Sequence, residues 1–149
     1  VPEPKTLDRF LEAMQICDIA AQDYGFNNGS STIGKSSVNG KILFAGFGAL
    51  FMKRKVLESF TPPIFKADRA FNLGNMMWMP INPDNAYGQY DIRFGSEARK
   101  NGFTIGQITG EADHLQLISM GQKEINTGFH TIGLKGRVEK QLLLPIEDL

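Results

Sequence analysis

QYDIRF (residues 89–94), GFTIGQI (102–108), HLQLISM (114–120), FHTIGL (129–134) and RVEKQLLL (137–144) are short apolar runs that follow one another through the C-terminal part of the chain. Turn formers separate them: Asn101 with Gly102, then Gly110, Gly121, Thr127 with Gly128, and Lys135 with Gly136. Short runs rich in β-branched and aromatic residues, punctuated in this way, predict strands. The segment 89–146 is therefore expected to form a β-meander, and the chain upstream must cover one face of that sheet or extend it.

The N-terminal part supplies a helix for that purpose. Leu7, Phe10, Leu11, Met14, Cys17, Ala21 and Tyr24 recur at three- and four-residue steps, with Arg9, Glu12, Gln15 and Gln22 largely on the other side, which predicts a helix over about 6–24. Thr6 is placed to cap it, Asp8 complements its dipole, and Gly25 is placed to end it. Residues 26–40 turn to Asn, Gly and Ser and read as a flexible loop or loose hairpin. The mixed segment 41–85 contains an expected strand at Lys41–Ala45, a short helix or a strand at Leu50–Phe60, and another strand at Ile64–Phe71. The fold class expected is α+β, mainly β: an N-terminal helix packed on an antiparallel β-meander, in one domain spanning 1–149.

Composition narrows the function classes. Sixteen Lys and Arg balance sixteen Asp and Glu, so no global field draws the chain to nucleic acid or anionic lipid. The single cysteine, Cys17, cannot form an intrachain disulfide, and no apolar stretch is long enough for a membrane span. The sequence opens on Val1 followed by Pro2, Glu3 and Pro4 with no basic or apolar leader, which is the expectation for a processed product or an excised domain. No cofactor is expected, and the compartment stays open.

Five patterns carry candidate chemistry. GSSTIGKS at 29–36 matches the phosphate-cradling G-x-x-x-x-G-K-[ST] motif, which makes Gly34, Lys35 and Ser36 candidate nucleotide-binding residues. KILFAGFGALF at 41–51 resembles the strand, G-x-G turn and helix that open a Rossmann dinucleotide fold, with Asp68 in the place of its ribose-binding acid and Phe51 where that fold has its third glycine. The reading adopted for Gly46 and Gly48 is a bulge or tight bend. Glu111, Asp113 and His114 bring two carboxylates and an imidazole to the mouth of a strand, and His130 would complete a catalytic or metal site if it met His114 across strands. Arg93, Arg99, Lys100 and Phe103 interleave bases and aromatics as a single-stranded nucleic-acid platform does.

The fifth pattern is Met76, Met77, Trp78 and Met79. Four consecutive large apolar residues do not fit an in-and-out alternation, so they are expected to be buried on both sides or offered to a partner. Few catalytic candidates, many strand edges and this segment together favour a non-catalytic binding or self-assembling domain. Such a domain would be a homo-oligomer or a protein-binding module, for example a structural subunit of a viral or secretion-type assembly. The alternatives are a nucleotide- or metal-dependent enzyme and a single-strand nucleic-acid binder.

Overall fold

The computed structural model describes residues 5–25, 29–66, 68–81, 89–110, 113–118, 130–135, 138 and 140–149. Its elements in order are α1 (Thr6–Ile16), β1 (Ile19–Gln22), β2 (Ser30–Ser36), β3 (Ile42–Ala45), β4 (Leu50–Met52), α2 (Arg54–Glu58), β5 (Arg69–Asn72), β6 (Met77–Pro80), α3 (Tyr90–Lys100), β7 (Ile105–Ile108), β8 (Asp113–Ile118), β9 (His130–Lys135) and β10 (Lys140–Leu144). The class is α+β and mainly β, as expected.

Two three-stranded sheets form the centre. In the first, β1 lies between β4, antiparallel with Ile19 opposite Met52, and β7, parallel with Ile19 opposite Ile105. In the second, β2 lies between β3, antiparallel with Ile33 opposite Ala45, and β10, parallel with Leu144 opposite Ser36. Two antiparallel ribbons, β5 with β6 and β8 with β9, complete the described strands.

The β1 sheet is covered on both faces. Ala20 and Ile108 pack with Phe10 of α1 on one side, while Ile19 packs with Val56 of α2 and with Phe94 and Ala98 of α3 on the other. A further cluster of Leu43, Phe44, Phe71, Ile92 and Leu144 joins the second sheet to α3 and the β5–β6 ribbon. Many of the phenylalanines are used here: Phe94 stacks on Phe60 and meets Phe47 and Phe65 edge-on or tilted.

Three expected elements differ. The first helix stops at Ile16, where the Cys17 N–H and thiol both reach the Ala13 carbonyl, at 2.9 and 3.1 Å. Residues 19–22 then form a strand that is buried throughout. Ala20 and Ala21 serve a helical stripe and a two-sided buried strand equally well, so periodicity could not separate them. Residues 30–36 are a central strand rather than a flexible loop. Its hydroxyls have partners: the Asp23 carboxylate accepts from Ser31 Oγ, from the Thr32 N–H and hydroxyl at 2.9 Å each, and from the Gly25 N–H at 3.2 Å.

The third difference is the expected meander: β7 pairs in parallel with β1, β10 in parallel with β2 and β8 with β9, so its runs fall in three sheets, and its opening run is not a strand. Residues 90–100 form α3, whose buried positions are Ile92, Phe94, Gly95, Ser96 and Ala98. Small residues carry most of that stripe, so the apolar signal was left with Ile92 and Phe94, which alternate as in a strand. The segment 50–60 holds both readings in turn, β4 and then α2.

Candidate functional site

The phosphate-loop match is not realised as a loop. Gly34, Lys35 and Ser36 lie within β2, and no helix follows them. Gly34 is there because the Phe44 ring lies over it: a Cβ at 34 would come 2.3 Å from that ring. Ser36 Oγ donates to the Ile146 carbonyl at 2.5 Å, which fastens the segment after β10. The Gly46–Gly48 turn leads from β3 into β4, again without a helix, so it is the tight bend expected.

Asp113 and His114 begin β8 and His130 begins β9, but the register sets His114 opposite Leu134 and His130 opposite Ile118. The two histidines stand four ladder positions apart, roughly 13 Å along the ribbon, and do not meet across strands. Glu111 lies outside the described residues. Among the described residues, no three His, Cys, Asp or Glu side chains gather as a metal ligand set would. Burial raises the pKa of the Cys17 thiol, the protonated form that donates to Ala13.

The basic candidates lie on or beside a helix rather than along adjacent strands. Arg93 is held between Asp68 at 3.1 Å and Glu97 at 2.8 Å, and Arg99 lies 2.6 Å from Asp148. The Arg93 guanidinium beside Asp68 lowers the pKa of that carboxyl. Phe103 packs into the cluster of Ile19, Val56 and Phe94, with the Lys55 ammonium 5.6 Å from its ring centre. Only Lys100 of the four is exposed.

The methionine-rich segment does alternate, contrary to expectation. A turn at residues 73–76, held by the Asn72 side chain on the N–H groups of Gly74 and Asn75, lets β6 fold back on β5. Trp78 then sits opposite Phe71, ring centres 5.3 Å apart, with the Arg93 guanidinium 5.9 Å from the Trp78 ring centre. Met76 and Trp78 pack on the core, whereas Met77 is 61% and Met79 44% exposed, and Leu73 of the turn is 40% exposed. A ribbon anchored on its inner face thus carries methionines on its outer face.

A cleft of about 560 Å³ opens where α1 begins, against the bend that leads into β4. Lys5, Thr6, Phe10, Gln22, Phe47 and Phe51 are among the residues that line it. Thr6 does not cap α1. Lys5 holds the cap position with φ 68°, and among the described residues no side chain caps the helix and Thr6 Oγ1 is buried without a hydrogen-bond partner. Sequence reading missed this cleft because its walls come from chain segments about forty residues apart, and only the FGALF phenylalanines at 47 and 51 stood near any noted motif.

No protein-family model, curated protein or solved structure matches the chain.

Among the described residues, no helix is long and apolar enough to cross a membrane.

Proposed function

We propose that this chain is a non-catalytic binding domain that assembles with further copies of itself through the outer face of the β5–β6 ribbon, as a subunit of a larger structure. The observation that carries this reading is the division of Met76–Met79. Trp78 and Met76 hold the ribbon to the core, while Met77, Met79 and Leu73 remain at its surface. Burying each such side chain is worth about 1.5–3 kcal/mol when complete, and a two-fold contact uses each one twice. A second copy is the occupant favoured because the formal net charge is +0, so copies approach without long-range repulsion.

Light scattering across a concentration series tests it. The wild type should show a mass above 16.5 kDa that the double variant Met77→Ser, Met79→Ser lowers. Both side chains are exposed in the single chain, so the variant should keep the unfolding midpoint that the wild type shows when diluted to monomer. A wild type that stays monomeric at every concentration refutes self-assembly. An oligomer whose mass ignores the double substitution refutes the ribbon as its contact.

A further inference from the structure

We infer that Met77 and Met79 form a reversible oxidation site, and that a peroxide acting there switches off the ribbon contact. The effect on assembly rests on the contact proposed above; the chemistry does not. Cross-strand partners share a face of a two-stranded ribbon, and the register sets Asn72 opposite Met77 and Ala70 opposite Met79. Two thioethers and one carboxamide therefore stand together on the outer face, while Phe71 and Trp78 take the inner one. Met77 is 61% and Met79 44% exposed. Among the described residues the other methionines, Met14, Met52 and Met76, are each packed against a core cluster. Oxidation follows exposure of the sulfur, so the ribbon pair is set apart from those three.

In the reaction a sulfur lone pair attacks one oxygen of hydrogen peroxide. The S–O bond forms as the O–O bond breaks, the sulfur gives up two electrons, and the second oxygen leaves as water with both protons. Asn72 fits this product. Its Oδ1 accepts from the N–H groups of Gly74 and Asn75 at 2.8 and 3.2 Å, which fixes the carboxamide so that Nδ2 donates to Met79 Sδ at 3.5 Å. Sulfur is a weak acceptor and a sulfoxide oxygen a stronger one, so the N–H is already placed for the oxidised side chain. The same donor draws on the Met79 lone pair, so the more exposed Met77 reacts first. Each sulfoxide is polar where the thioether was apolar, which removes the surface that the contact buries. A chain within the contact covers both sulfurs and a free chain exposes them, so the oxidant acts on free chains and holds them apart.

The test is limited treatment of the full chain with dilute hydrogen peroxide, read on the same samples by residue-resolved mass spectrometry and by light scattering. Met77 should gain oxygen first and Met79 next, both ahead of Met14, Met52 and Met76, and both more slowly as the protein concentration rises into the range of association. Oxidation should raise the dissociation constant at least about tenfold, and methionine sulfoxide reductases should restore the sulfurs and the oligomer mass together. Asn72→Asp keeps the acceptor that holds the turn and loses the donor to Met79, so the Met79 rate should rise relative to that of Met77. Oxidation of Met77 and Met79 no faster than that of Met14, Met52 and Met76 overturns the site, whatever the oligomeric state. An oligomer that keeps its mass with both residues oxidised overturns the switch. A chain that is monomeric before any peroxide is added refutes the ribbon contact instead, and the switch with it.

Discussion

Replacing Gly95 by alanine sets two physical effects against each other inside α3. In isolation the change favours the helix, since glycine is worse than alanine in a helix interior by about 1 kcal/mol. In this protein Gly95 is buried where α3 crosses β3. A Cβ at 95 would lie 2.8 Å from Phe44 Cβ, 2.9 Å from Phe44 Cα and 2.9 Å from the Leu43 carbonyl oxygen. Carbon atoms sit comfortably at about 3.5–4.0 Å, so the helix must retreat by roughly 0.7–1 Å, and two of the three obstacles are backbone that no rotamer change moves aside. A gap of that size forfeits about a quarter to a half of the dispersion energy of each contact it opens. Those contacts include Ile92 against Leu43 and Phe44 and Phe94 against Ile19 and Val56. Overpacking of this kind costs about 1–3 kcal/mol, and the backbone obstacles put it at the upper end. After the helix-propensity gain of about 1 kcal/mol, Gly95→Ala should destabilise by roughly 2 kcal/mol. Urea unfolding read by far-ultraviolet dichroism, and by the fluorescence of Trp78, should show a lower midpoint with an unchanged slope. Trp78 is the only tryptophan and lies beside Arg93 of the same helix, so it reports on helix seating directly. A midpoint equal to or above that of the wild type would refute the close backbone approach.

Asp18 ties three connections together: it accepts from Lys55 at 2.8 Å, from Lys53 at 3.3 Å and from the N–H and hydroxyl of Thr104 at 3.2 Å each, with its carboxylate 15% exposed. The Lys55 contact, before the others, lowers its pKa. A carboxyl held lower in the folded protein stabilises above its unfolded pKa of about 4 and loses that contribution as pH falls further, so Asp18→Asn should cost about 1–2 kcal/mol at pH 7 and progressively less below about pH 4. Asp91 runs the other way. Burial raises its pKa, so the charged form opposes folding at neutral pH. Asp91→Asn should raise the urea midpoint at pH 7, with the gain gone once the pH is below about 4, where both folded and unfolded carboxyls are protonated. A flat difference across pH in either variant would remove the electrostatic cause assigned to it.

Individual residues show how far sequence reading reached. The strands at 42–45 and 105–108, the helix beginning at Thr6 and the α+β class were legible because large apolar residues carried their periodicity. Residues 30–36 and 90–100 were not, because glycine, serine and alanine fill positions where another element approaches too closely for anything larger. Gly34 under Phe44 and Gly95 against the β3 backbone are the cases in point. Such residues signal a loop when the chain is read alone and a tight contact when the neighbour is known. The candidate sites divide in the same way. Met76–Met79 stood out by composition, but the separation of Trp78 from Met77 and Met79 needed the pairing of β6 with β5.

The sequence by itself determined composition and local chemistry: a neutral, single-cysteine chain, mainly β with a leading amphipathic helix, and a conspicuous methionine-rich segment. Tertiary structure alone decided that β1 and β7 run parallel, that Arg93 and Arg99 are matched by Asp68 and Asp148, and that Lys5 and Thr6 share a cleft with Phe47 and Phe51. The reason is range. Periodicity and turn chemistry act over a few neighbouring residues, whereas strand order, ion pairing and cavity walls depend on which distant segments the packed core brings together.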